Sequence, residues 1–383
     1  MENQTRWQIV RQTFKNFFVR WRKTKIAVIA IFCMLLISFL SFKVGCSFVS
    51  IPESTSQAQS EIVVPPDIEG YQRTEESTYL TYPEWHIVYS SEEYANWLEK
   101  NKPSGFPYFS SIGQFWSSYC TVYKITGRQY GFNLGDHFML WVIGTSFTVE
   151  NAVKGVYENT VGRITEWISS NEQTDEDLFA FQVNKDYVAF IYDYPWYEFS
   201  FAKSFGALWL DTNFFGPNIL RKWERKVILS LEFGVETIYG GLIKLGTRAL
   251  YGKAPVEVYA QIANVSEDVF VKNPLVKNIK VNSDGSYIIK IPRYRLFTEI
   301  VPQLANSGVQ FIDIAGNDEI FLTAIAPKDW EYNLDSGDIL FKMEILTQPN
   351  LQRIAIKATI KSLSSILNSL NTDGVKIEHL YDY

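Results

Sequence analysis

Residues Ile26–Phe42 (IAVIAIFCMLLISFLSF) form an uncharged, almost wholly apolar run, and no other segment constrains the fold as strongly. At about 1.5 Å per residue this run measures roughly 26 Å, close to the ~30 Å of a bilayer's hydrocarbon core. Val44–Val49 can extend it, with Lys43 reaching its ammonium back to the headgroups. Lipid offers backbone groups no partners, so such a segment must be helical. The sequence therefore predicts a single N-terminal transmembrane helix within residues 26–49.

Charge sets its direction. Arg6, Arg11, Lys15, Arg20, Arg22, Lys23 and Lys25 precede the run, against the single acid Glu2. After Lys43 no Lys or Arg occurs until Arg73, whereas Glu53, Glu61, Asp67 and Glu69 intervene. The positive-inside rule puts the N-terminus in the cytoplasm and the C-terminal bulk outside it. Two other readings fit less well. A cleaved signal peptide has a shorter basic region. Lipid attachment at Cys46 would want an aliphatic residue where Lys43 stands.

Within the basic tail, residues 1–25, Trp7, Val10, Phe14, Phe17, Phe18 and Trp21 share one helical face. That pattern describes an amphipathic helix lying at the membrane surface, or else a flank that only sets topology. Residues 50–75 are rich in Ser, Pro, Gln and acids and read as a linker.

The periodicity then changes twice. Residues 76–254 read as an aromatic-rich α-helical domain. Thr81–Glu84 and Ser90–Glu93 resemble capping boxes, and helices are expected over 109–125, 136–167, 177–192, 195–210 and from 217 to Leu250. Along the last one, Leu220, Trp223, Val227, Leu231, Val235, Ile238, Leu242 and Leu245 recur at three- and four-residue steps, which predicts one buried stripe. Phe138–Val149 is the most apolar stretch of this half and too short to span a bilayer.

Residues 255–383 read as an α+β domain. Strands are expected over 278–281, 286–292, 309–314, 319–326, 339–345 and 375–381, with Asp284-Gly285 as a hairpin turn. Helices are expected over 295–306, bent or ended by Pro302, and after Asn350 through Ile356, Ile360, Leu363, Leu367 and Leu370. This order matches the split βαβ arrangement of a ferredoxin-like sandwich. A chain starting near Pro255 is expected to fold alone.

Aromatic residues make up 16% of the chain, a load that suits cores, interfaces and membrane boundaries. A net charge of −6 and the absence of any nucleic-acid-binding pattern argue against nucleic acid as a partner. Of three cysteines, Cys33 lies inside the apolar run, so only Cys46 and Cys120 can pair.

Chemistry has few places to reside. Glu84 and His86 stand beside one predicted helix start, and Asp136 and His137 open another. Brought together, these four would supply two carboxylates and two imidazoles for acid/base work or for a metal. Helix capping and local hydrogen bonding are the alternative. Glu224, Glu232 and Glu236 lack the Glu-x-x-His partners of a di-iron site. There is no Gly-x-x-x-x-Gly-Lys, Gly-x-Gly-x-x-Gly, Gly-x-Ser-x-Gly or His-Glu-x-x-His, so no cofactor is expected. The sequence favours a membrane-anchored, extracytoplasmic interaction or scaffolding protein over an enzyme. Its expected partners are the lipid bilayer and other envelope or membrane proteins. The alternative is a membrane-proximal enzyme acting on a lipid or other amphiphile through Glu84, His86, Asp136 and His137.

Overall fold

The computed structural model describes residues 46–47, 67–130, 134–170, 172–250, 256–266, 268–331 and 337–383. The predicted basic tail and nearly all of the predicted transmembrane helix lie outside these residues. Among the described residues no helix is long and apolar enough to cross a membrane. Met1–Ser50 and Ile51–Tyr383 are separate compact units, and the second holds all the strands and long helices described. Cys46 and Cys120 are each disulfide-bonded.

A helical region leads into an α+β region with two sheets. Helix α1, Ser77–Leu98, runs through both predicted capping boxes. Thr81 donates to the Ser77 carbonyl at 2.7 Å, and the Ser90 hydroxyl meets that of Ser111 at 2.9 Å, so neither caps an end. Pro83 sits inside α1, where it removes the amide that would bond to the Tyr79 carbonyl. Helix α2, Tyr108–Gln129, and helix α3, Leu134–Tyr157, pack closely at Gly144. A Cβ there would lie 2.2 Å from the Phe115 ring. A π-helical turn, Glu158–Gly162, joins α3 to α4, Arg163–Ile168. Helix α5, Asp175–Ile191, carries a true capping box between Thr174 and Asp177. Helix α6 covers Phe201–Asp211, and α7, Ile219–Leu250, is the longest.

The α+β region repeats itself. β1 (Glu257–Ala263), the short α8 (Asp268–Lys272), β2 (Lys277–Val281), β3 (Tyr287–Pro292), α9 (Arg295–Asn306) and β4 (Gln310–Ile314) build a sheet of order β2-β3-β1-β4. β5 (Glu319–Pro327), β6 (Asp338–Glu344), β7 (Leu351–Thr359), α10 (Ile360–Thr372) and β8 (Lys376–Tyr381) build a second of order β6-β7-β5-β8. Every pairing in both is antiparallel. The two halves thus share one topology. Core positions Phe297, Ile300, Val301 and Leu304 of α9 match Leu363, Ile366, Leu367 and Leu370 of α10 in spacing. Gly308 and Gly374 follow the two helices at positive φ, where glycine is the default residue. Both helices and the inner faces of both sheets form one apolar core.

Two sheets with one long helix each replace the single ferredoxin-like sheet expected from sequence. Leu351–Thr359 is a strand, not the start of a helix. Ile354, Ile356, Ala358 and Ile360 alternate, and the Ile356–Ile360 step satisfies a helical period as well. α9 continues through Pro302.

The outer faces of the sheets are covered from upstream. Tyr79 and Tyr82 of α1 lie 5.7 and 5.6 Å from Phe321 in β5, and Tyr82 also meets Phe341 and Tyr381. Tyr71 stacks on Tyr259 of β1 at 5.4 Å and donates to Asp313 at 2.8 Å. Tyr259 and Phe321 occupy the same position in their repeats, the third residue of the first strand. The helical and α+β regions therefore share a packed aromatic interface.

Candidate functional site

The four residues singled out from sequence fall in different surroundings. Glu84 and His86 are two apart on α1, so they point to different sides of it; Glu84 is exposed and His86 buried. The His86 ring sits edge-on to Phe115 and Phe147, with no side-chain hydrogen-bond partner. His137 is buried near Tyr119, whose hydroxyl lies 3.2 Å from its Nδ1, and edge-on to Tyr123. Phe147 is ten residues beyond His137 on α3, about 15 Å along the axis, so the two imidazoles occupy different levels of the bundle. Asp136 lies in α3, with its side chain outside the described residues. Among the described residues no group of three or more His, Cys, Asp or Glu could hold a metal.

A polar cluster that the sequence did not reveal lies between α1 and the second sheet. The buried Arg353 guanidinium bonds Glu378 at 2.6 Å and Glu93 at 3.3 Å, over the Tyr89 ring. Tyr89 and Tyr381 share a 2.8 Å hydrogen bond, and His379 stacks on Trp85 at 3.7 Å while bonding Thr298. Burial pushes His379 down to about 3, and burial with the nearby Arg353 does the same to His86. Both rings are neutral and enclosed, a poor setting for proton transfer near neutral pH. For Glu93, burial outweighs Arg353 and raises its carboxyl to about 7.

These shifts predict a pH response of stability. The histidines, lowered on folding, lose stability as pH falls from about 6.5 toward 3, because the unfolded chain takes up protons that the folded chain refuses. Glu93, raised on folding, works in the opposite direction between about 7 and 4.5. From pH 7 to 5 the two histidines cost about 4 kcal/mol and Glu93 returns about 2 kcal/mol. Glu75 and Glu236, whose carboxyls burial also raises to about 7, add to what Glu93 returns and offset the histidine cost, so the histidine part is read by difference. From pH 7 to pH 5 the change in stability of His379→Gln should be about 2 kcal/mol more favourable than that of the unaltered chain. Urea midpoints of both proteins at pH 7 and pH 5 check this, and equal slopes would refute it.

The helical region holds a denser network. In α7, Arg221, Lys222, Arg225 and Lys226 are all buried, facing acids on α4, α5 and the π turn. Arg221 bonds Asp177 at 2.7 Å and Glu224 at 3.2 Å, and donates to the Gly162 carbonyl at 3.2 Å. Arg225 grips Glu158 through two nitrogens, at 2.9 and 3.2 Å. Lys222 meets Asp175 and Glu176, and Lys226 meets Glu176 at 3.2 Å and the Thr212 hydroxyl. The π turn shifts the helical bonding pattern, with Arg163 N–H reaching back to Glu158, and places Gly162 and Glu158 against these arginines.

With its charges turned inward, α7 is apolar outside. The stripe predicted to be buried is exposed instead: Leu231 is 60% exposed, Val235 63%, Ile238 69% and Leu245 70%. Leu220, Trp223, Val227 and Leu242 share this face. Among its described side chains, every exposed position of α7 is apolar except Thr237. α3 runs antiparallel beside it, as Ser146–Tyr239, Lys154–Glu232 and Tyr157–Glu224 contacts show. Val149, Val153 and Val156 of α3 are also exposed. α2 backs α3, and α5 and α6 back α7, so both stripes open on the side away from those helices. Exposed apolar patches of this extent mark protein or membrane contacts in other proteins.

No protein-family model, curated protein or solved structure matches this chain.

Proposed function

We propose that this chain is a membrane-anchored, extracytoplasmic interaction or scaffolding protein that docks through the exposed face of α7. One observation carries the reading: the eight large apolar side chains from Leu220 to Leu245 lie on the surface. Covering them would contribute on the order of 10 kcal/mol, since each is about half exposed and a full burial is worth about 1.5–3 kcal/mol. The anchor is residues 26–49, and the charge asymmetry around it directs the body outward. The disulfide-bonded Cys46 and Cys120 suit an oxidising compartment. The placement of His86 and His137 at different levels of the bundle lends no support to an acid/base centre shared between them.

A photo-crosslinking residue at Leu231 of the full chain, in its native membranes, tests the docking. It should yield an adduct, whereas the same residue at solvated Gln182 of α5 should not. A reporter active only outside the cytoplasm, fused at Tyr383, should give signal in the same cells. No adduct at Leu231, or a silent reporter on a membrane-bound fusion, would overturn the reading.

A further inference from the structure

The geometry points to the acyl region of a lipid bilayer as the occupant of the α3–α7 face, an assignment that rests on the docking reading above. α7 distributes its side chains inversely to a water-soluble amphipathic helix. The four cations of its first two turns, Arg221, Lys222, Arg225 and Lys226, point inward to carboxylates, Lys244 pairs with Glu198 at 3.7 Å, and none of its fully exposed positions among the described side chains carries a charge. Charges that are paired inside and absent outside are what hydrocarbon requires of a protein surface. A protein partner would instead be met by aromatic, Met and Arg anchors and by about one hydrogen bond per 100–200 Å². The exposed side chains of α7 from Val227 to Leu245 are aliphatic apart from the Thr237 hydroxyl, and on α3 the exposed Thr145 bonds its own helix at the Trp141 carbonyl and Glu150 pairs with Lys154.

The ends and the length agree with that occupant. Trp223 and Trp167 are exposed toward the N-terminal end of α7, as is Arg163. Indole rings and guanidinium groups are the residues that settle at headgroup level. From Leu220 to Leu245 the stripe runs about 37 Å, longer than the hydrocarbon is thick, and no described helix qualifies as a span. The helix pair therefore lies along the membrane, its apolar side sunk into the upper acyl layer. The opposite side, where α5 exposes Gln182, Lys185 and Asp186, faces water. The sequence supplies the tether: the apolar run ends at Phe42, twenty-five residues before Asp67, a stretch that reaches at most ~85 Å fully extended.

The test uses the full chain reconstituted in phosphatidylcholine–phosphatidylglycerol vesicles, with a nitroxide amino acid at Leu231, Ile238 or Gln182. Collision with oxygen, which concentrates in acyl chains, is compared with collision with a water-soluble nickel chelate. At Leu231 and Ile238 oxygen access should exceed nickel access, and at Gln182 the order should reverse. Exclusion of both reagents together with spin–spin broadening would mean that a second copy of the chain covers the face. That result overturns the lipid assignment and leaves the docking reading standing. Free nickel access at Leu231 and Ile238 would place the stripe in water and overturn both. The labelled positions are already exposed, so folding does not depend on them.

Discussion

Arg221→Met lowers the stability of the helical region by about 3–5 kcal/mol, the usual cost of leaving buried carboxylates without their cation. Arg221 is 1% exposed and holds Asp177, Glu224, the Thr165 hydroxyl and the Gly162 carbonyl at once. Its removal leaves Asp177 buried with no other cation bonded to it among the described contacts. Methionine fills much of the volume but satisfies none of these acceptors. Arg221→Lys should recover only part of the loss, because a single ammonium cannot reproduce the guanidinium's fork. Adding Asp177→Asn to Arg221→Met removes one orphaned charge and should return a measurable share of the stability. Denaturant unfolding followed by tryptophan fluorescence reads the effect, with the exposed Lys203→Ala as a control expected to stay within about 0.5 kcal/mol. A loss below about 1 kcal/mol for Arg221→Met would show that the network is solvated and that the burial assigned to it is wrong.

The same residues show where the sequence could be read and where it could not. Hydrophobic period gave the helices of the first half, because a side chain every 3.6 residues leaves a visible stripe on any amphipathic helix. Period alone does not say what the stripe faces. Leu220 to Leu245 would show the same spacing against a core, a partner or a bilayer, and the default of a water-facing polar side inverted α7. The Arg221–Lys226 segment looks like a solvated basic patch until Glu158, Glu166, Asp175, Glu176 and Asp177 are seen around it, and those lie more than forty residues upstream. Glu84 and His86, and Asp136 and His137, are linked by adjacency in sequence, which carries no information about which helix faces which. The repeat in the α+β region escaped notice because its halves share core positions, not residues: Phe297 stands for Leu363 and Val301 for Leu367. The faint trace available was the helix-ending Gly-Val pair, Gly308-Val309 and Gly374-Val375.

A chain beginning at Pro255 should fail to remain monomeric, contrary to the reading from sequence. Its inner core survives, since α9, α10 and the facing sides of both sheets lie wholly within residues 255–383. What it loses is the cover of the second sheet. Phe321 and Tyr381 are fully buried and lie within ring contact of Tyr82 on α1. Aromatic side chains bury about 150–250 Å² each, so uncovering three or four exposes several hundred Å², worth on the order of 10 kcal/mol. That is comparable with the whole stability of a small domain. Arg353 would also lose Glu93, although Glu378 stays with it. The shortened chain should keep mixed helix–strand circular dichroism, melt at lower temperature than the same region in the full chain, and self-associate on sedimentation. A peptide of residues 75–99 added in trans should reverse the association, and Trp85, stacked on His379 in the full structure, should report its binding by a change in fluorescence. A monomeric, fully stable product without the peptide would mean that the α1 interface is dispensable and that the boundary near Pro255 separates two independent domains.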